Sequence, residues 1–136
     1  MSSPASIHHE TVACWNRRDF DGMRNLCHPE YTFTGGDGKE VTGGPEIAVT
    51  IGRMWAAAFP DAKIEVKQVY TQGNVAIAEM IGRGTHSGSF MGTRPTGRPV
   101  VVVFCTVIEL RDGRVYRERQ YLDLYSVLSQ IGFARA

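Results

Sequence analysis

Apolar residues recur at helical spacing near the start of the chain, at Ile7, Cys14 and Trp15 with Thr11 between them. Ser6 before them is a fair N-cap, so the pattern predicts a first helix of about a dozen residues that ends between Asn16 and Asp19. Asp21 then caps a short second helix with Met23, Leu26 and Cys27 on its apolar side, closed by Pro29, which disfavours helix at His28. Residues 31–33 read as a strand, the glycine-rich residues 35–38 as a loop, and Val41 as the return of a small hairpin. Gly43-Gly44-Pro45 opens a third helix, with proline in the first turn where its missing N–H does no harm, and Ile47, Ile51, Met54, Trp55, Ala58 and Phe59 form its apolar stripe. After Pro60-Asp61 the period drops from near four to two. Ile64, Val66 and Tyr70 alternate with Lys63, Glu65 and Lys67, which predicts a half-buried strand.

Gln72-Gly73-Asn74 turns the chain into a strand apolar on both faces, and four glycines, at positions 84, 88, 92 and 97, break the next segment. A long apolar strand over residues 100–110 follows, and the Asp112-Gly113 turn folds it back on a last strand. Helices followed by a run of strands predict an α+β architecture in one domain, residues 1–136, with the helices against one face of the sheet. On the last strand Val115, Arg117, Arg119, Tyr121 and Asp123 share one face by alternation, and Tyr116, Glu118, Gln120, Leu122 and Leu124 the other. The first face carries a carboxylate, a phenol and two guanidiniums. It reads either as a polar-tipped pocket with Asp123 as acid or base, or as a solvated face with ordinary ion pairs.

Composition narrows the partners. A formal charge of +1 with 21% charged residues lacks the clustered cations that nucleic acid demands. No apolar run approaches the roughly 20 residues that span a bilayer, and the N-terminus lacks a basic start and an apolar core, so a cytoplasmic protein is expected. Three cysteines, Cys14, Cys27 and Cys105, are spaced far apart and read as free buried thiols. The histidines never fall at spacings that put two on one face, which argues against a metal site. Nor is there a dinucleotide fingerprint, phosphate loop or nucleophile elbow, so any chemistry has to come from side chains without a cofactor.

Several local motifs then converge in order: Trp15-Asn16 with Asp19 and Asp21, His28-Pro29-Glu30-Tyr31, Gly43-Gly-Pro-Glu46, Phe59-Pro60-Asp61, Gly84-Thr-His-Ser-Gly88, Pro95-Thr-Gly-Arg98, Asp112-Gly113, and Tyr121-Leu-Asp123 followed by Leu128-Ser-Gln-Ile-Gly132. Through these the chain resembles the SnoaL-like polyketide cyclases (ester cyclases) of the NTF2-like superfamily. The resemblance implies a cone in which a curved antiparallel sheet wraps around N-terminal helices. It also implies a homodimer, whose second copy is expected to cover the β-branched outer sheet face around residues 100–103. In that family an aspartate on the last strand is the acid/base for an intramolecular aldol closure, and Asp123 stands at what looks like that position. The histidine that often assists it is replaced, in this alignment, by Glu109.

The expected site is therefore Asp123 with His86 and Glu109 as catalytic groups. Tyr121, Arg119, Trp15, Phe33, Phe59 and Phe90 are expected to contact a small apolar or aromatic ligand. His86 lies in the glycine-rich stretch, and histidine is the side chain type suited to proton transfer near neutrality. His8 and His9 sit near an exposed terminus and have weaker claims. Three functions stay open: a cofactor-independent cyclase or isomerase acting on a small carbonyl compound, a non-catalytic ligand-binding or interaction module of the same fold, and an epoxide hydrolase-like enzyme using Glu109, Arg119 and Asp123.

Overall fold

The computed structural model describes residues 3–132. Its first helix, α1 (Pro4–Asn16), begins one turn earlier than the apolar spacing suggested. Ser3 is the N-cap, accepting from the Ser6 N–H at 3.1 Å, and the Ser6 hydroxyl donates back to the Ser3 carbonyl at 2.9 Å. Helix α2 (Phe20–Leu26) is capped two residues sooner than expected, by Asp19, whose Oδ1 accepts from the Gly22 N–H at 2.8 Å. Asp21 instead lies in its first turn, where a negative charge suits the positive end of the helix. Pro29 does not end this helix. The chain is already extended from Cys27, and Pro29 falls in the stretch of β1 (Cys27–Thr34) between the paired residues Cys27 and Thr32, where its missing N–H breaks no ladder.

After β2 (Glu40–Thr42) comes α3 (Pro45–Ala58), then four strands in succession: β3 (Lys63–Gln72), β4 (Val75–Thr85), β5 (Pro99–Arg111) and β6 (Arg114–Leu122), closed by a short helix α4 (Leu124–Gln130). One sheet holds all six strands in the order β2-β1-β6-β5-β4-β3. The pairing is antiparallel except where β1 lies parallel to β6, so the sheet is mixed rather than wholly antiparallel. Helices α1 and α3 fill its concave side, giving the expected α+β cone. The edge strand β3 is blunted by Asn16, whose amide pairs with both main-chain groups of Ile64, at 2.8 and 2.9 Å. No helix among the described residues is long and apolar enough to cross a membrane.

Two features of β4 and β6 shape the interior. Along β4 the inward positions are Ala76, Ala78, Met80 and Gly82, all small but Met80, and Met80 and Gly82 line the space beneath the sheet. Along β6 there is a bulge: Glu109 pairs with Arg117 but Leu110 pairs with Val115, so Tyr116 is an extra residue. The bulge shifts the alternation by one, and Val115, Glu118, Gln120 and Leu122 all face inward.

The glycine-rich connection from β4 to β5 is docked on the end of α3 by the Ser87 and Gly88 N–H groups, which both donate to the Ala58 carbonyl, at 3.2 and 3.0 Å. A Cβ on Gly88 would lie 1.8 Å from the Ala57 carbonyl oxygen. Gly88→Ala is therefore expected to undock this segment and cost about 1–3 kcal/mol. A denaturation midpoint unchanged from wild type would show that the close approach is not required.

Candidate active site

Between the concave sheet face and the helices lies a cavity of about 150 Å³. Its walls are mostly apolar. Helix α1 supplies Val12 and Trp15, α3 supplies Ile51 and Trp55, and Phe33, Phe59, Met80 and Phe104 complete the lining. Gly52 allows α3 to approach α1 closely, and its carbonyl accepts from the Trp15 indole N–H at 3.0 Å, so that ring presents only its apolar surface to the cavity.

Against this wall a few polar groups stand out. Glu118 enters from β6 because of the Tyr116 bulge, and the hydroxyl of Tyr31 on β1 donates to its Oε1 at 2.7 Å. Burial raises the Glu118 carboxyl above the usual range, an effect the Tyr31 hydrogen bond partly opposes. No ion pair among the described residues reaches it: the guanidiniums of Arg117 and Arg119, its chain neighbours, bond to Glu40 and Glu109 instead. Tyr31 is pushed well above its ordinary value by its own burial first and by Glu118 second, so it stays a neutral donor. One residue pair further along the sheet, Gln120 faces Thr106 of β5 across the ladder. From α1, His8 Nε2 lies 2.6 Å from Thr106 Oγ1. His8 is only 3% exposed, and burial lowers its imidazole to about 4, an effect its own main-chain carbonyl offsets in part. It is neutral near pH 7.

The residues singled out from the sequence divide into two groups. Trp15, Phe33 and Phe59 line the cavity. Phe90 packs against Trp55 and Phe59 with ring centroids 5.0 and 5.5 Å away, as a core residue behind them. His86 is fully buried; its Nδ1 lies 2.9 Å from Thr96 Oγ1 and accepts from the Thr96 N–H at 3.2 Å, which ties the two sides of the residue 86–98 segment together. The proposed polar face of β6 points away from the cavity, a consequence of the bulge. Arg119 and Glu109 form an ion pair at 2.5 Å on the outer sheet face, and Tyr121 on the same face is 57% exposed. Asp123 is exposed and caps α4, its Oδ1 accepting from the Ser126 N–H at 3.2 Å. Glu109, Arg119 and Asp123 thus do not converge on the cavity. Among the described residues no three His, Cys, Asp or Glu side chains gather as a metal ion would require.

Glu118 and His8 escaped the sequence reading. A helical wheel does place His8 with Thr11, Val12 and Trp15 on one face, which is the signal that could have found it. For Glu118 the apolar company of Leu122 on its face was a hint, but nothing in the sequence marks Tyr116 as a bulge.

Residues 6–131 match the SnoaL-like polyketide cyclase family. The chain belongs to that family. Two curated relatives are the aklanonic acid methyl ester cyclase AcmA of Streptomyces galilaeus, 23% identical over 97% of this chain and 92% of the relative, and the nogalonic acid methyl ester cyclase of Streptomyces nogalater, 24% identical over 89% and 91%. Among solved structures, AclR of Streptomyces galilaeus superposes with a TM-score of 0.87 and 26% identity, covering 98% of this chain and 83% of AclR. IdmH of Streptomyces antibioticus superposes with a TM-score of 0.83 and 25% identity over 96% and 99%. Membership of the SnoaL-like family supports a cyclase function in general terms.

Two measurements follow from the site's electrostatics. Because folding raises the Glu118 carboxyl, the stabilising contribution of the neutral acid is complete below about pH 4.5, its ordinary value, and is lost as pH rises through the folded value. Wild type should therefore lose stability relative to Glu118→Gln as pH rises above that point; parallel midpoint-against-pH curves would contradict a buried acid. Asp123→Ala should cost about 1 kcal/mol through loss of the α4 cap, with no effect on ligand binding in the cavity.

Proposed function

We propose that the protein is a cofactor-independent cyclase or isomerase that acts on a small, largely apolar carbonyl compound, with Glu118 as its acid/base. The observation that carries this reading is a carboxyl with a raised pKa and no cation partner, held by Tyr31 in an apolar cavity. A carboxyl shifted upward in this way is a stronger base than an exposed one, and once protonated it can return the proton. Asp123 gives way to Glu118 in this role, since a solvent-exposed helix cap has no such environment.

In its ionised form Glu118 removes a proton from the carbon α to the carbonyl, and the electron pair of that C–H bond becomes an enolate. In a cyclase the enolate carbon attacks a second carbonyl carbon of the same molecule, forming the ring C–C bond. The resulting alkoxide takes the proton back from Glu118, so proton and charge balance. In an isomerase the proton returns to a different carbon. Tyr31 holds the carboxyl in place through its 2.7 Å hydrogen bond, and the aromatic wall keeps the chain of the substrate folded. The named reactions of the curated relatives, both methyl ester cyclases, support a carbonyl substrate. A cavity of about 150 Å³ favours one with a body of roughly a single aromatic ring, the size that an apolar cavity of similar volume admits.

A second copy is proposed to cover the outer sheet face, where Val101, Val103 and Tyr121 are exposed side by side on β5 and β6, Val103 at 68%. Sedimentation at micromolar concentration should then give a dimer mass, and Val103→Lys should shift it toward monomer; a wild-type monomer would remove this part of the reading.

The catalytic part is tested by deuterium exchange into the methylene group of phenylacetone, followed by proton NMR. Wild type and Asp123→Asn should exchange at similar rates, with Glu118→Gln slower by about 100-fold or more. Unchanged exchange in Glu118→Gln, or its loss in Asp123→Asn, would refute the assignment. Absence of exchange in wild type would favour the non-catalytic binding module.

A further inference from the structure

Gln120 is the one polar side chain on the inner face of β6 beyond Glu118, and it lines the same cavity. No hydrogen bond among the described residues engages its amide, whereas Glu118, Thr106 and His8 all have partners. The residue is half-buried, so its amide is accessible from the cavity and its hydrogen-bonding capacity is not taken up by the described residues. Its surroundings also determine which end of the amide faces a ligand.

The reasoning starts at His8, whose ring is neutral, so one nitrogen carries a proton and the other accepts. If Nε2 carried it, the Thr106 hydroxyl proton would have no acceptor among the described residues and Nδ1 would have no donor. With the proton on Nδ1, the Thr106 hydroxyl donates to Nε2 over their 2.6 Å contact, and the Nδ1 proton and the Thr106 oxygen's acceptor side stay without a full partner. Each arrangement leaves one donor and one acceptor unpaired, but only the second turns a ring N–H toward the acceptor that the main-chain carbonyl of His8 itself provides. It turns Thr106 Oγ1 into an acceptor on the side facing Gln120, directly opposite it in the β5–β6 ladder. Opposed side chains start about 4.5–5.5 Å apart at Cβ. A Gln120 amide with its NH2 end turned to that side would point one N–H at the Thr106 oxygen and leave the other free for a ligand.

We infer that Gln120 is the residue that binds the substrate's carbonyl oxygen, as a hydrogen-bond donor oriented by the Thr106–His8 pair. The inference rests on the cavity being the substrate site, as proposed above, and it specifies the substrate further. The carbonyl oxygen sits at Gln120 and the carbon that loses its proton sits toward Glu118, two residues away on the same strand, about 7 Å along the backbone. Once each side chain reaches toward the ligand, a carbon α to a carbonyl and that carbonyl's own oxygen bridge the remaining gap. A substrate whose acidic carbon and carbonyl lie in separate, distant parts of the molecule would not. In the reaction the same N–H would hold the enolate oxygen as its charge develops, so Gln120 both orients the substrate and stabilises the enolate.

The probe is acetophenone labelled with carbon-13 at the carbonyl, a ketone with a one-ring body. On binding wild-type protein its carbonyl resonance should move downfield, and one of the two Gln120 side-chain amide protons should shift in the nitrogen-15 spectrum. Gln120→Met keeps the length and removes the donor: acetophenone should bind roughly three- to tenfold more weakly, with its carbonyl resonance near the free value. Glu118→Gln should keep both the affinity and the carbonyl shift while losing exchange, which separates this inference from the catalytic one. The ring nitrogens of His8, read in the unaltered protein, should report a proton on Nδ1. A carbonyl shift retained in Gln120→Met, unmoved Gln120 amide protons, a His8 proton on Nε2, or failure of wild type to bind acetophenone would each overturn the inference. Loss of exchange in every form with the Gln120-dependent shift intact would leave it standing and remove the catalytic reading alone.

Discussion

One extra residue in β6 determines what the cavity contains. Strand side chains alternate, so inserting Tyr116 opposite the Glu109–Leu110 step moves every later residue of the strand to the other face. Without it, Arg117, Arg119 and Tyr121 would follow Val115 inward, bringing two guanidiniums into an apolar interior. With it, Glu118 and Gln120 face in and the arginines find carboxylates outside. The bulged side chain is clamped: the guanidiniums of Arg111 and Arg117 lie 3.9 and 4.5 Å from its ring centroid, and the His28 ring meets it edge-on at 5.3 Å. Residues that contribute nothing to the cavity lining therefore hold the register on which the site depends.

The space itself comes from what β4 and α3 leave out. Ala76, Ala78 and Gly82 face the helices with little bulk, and Gly52 lets α3 approach Trp15. Larger residues there would fill the cone into an ordinary core, with a gain in stability from added contacts. A cavity kept open and furnished with an acid, an amide and a neutral imidazole gives up some of that stability. The acid and the amide lie on one inner strip of β6, and the imidazole reaches the adjacent Thr106 of β5 from α1.

Much of the fold was legible in the sequence because its signals are local. The apolar stripe of α3, the switch to period two at Ile64, and the Asp112-Gly113 turn each identify an element within a few residues, and the order of elements then limits the topology. The caps were displaced toward the C-terminus, Ser6 for Ser3 and Asp21 for Asp19, because several residues of the right type stand close together and only geometry separates them. The site was less legible. Its aromatic wall was partly foreseen, in Trp15, Phe33 and Phe59, because large apolar residues near helix and strand centres tend inward. Its chemistry was not, because strict alternation from Val115 sends the reader to Arg119, Tyr121 and Asp123, and a bulge leaves no mark in composition or period.

Asp123 illustrates how the same residue satisfies two readings of a sequence and only one environment. At the end of the last strand it resembles a family acid/base, and just before Leu124-Tyr125-Ser126 it is an equally good helix cap. The structure gives it the second role: its oxygen receives the Ser126 N–H and its remaining surface meets water. Glu118 is in the opposite situation, half-buried in the cavity wall with a single neutral donor beside it. Two acids five residues apart thus differ in chemistry because one side chain lies beyond the end of the sheet and the other beneath it, a difference set by the bulge at Tyr116.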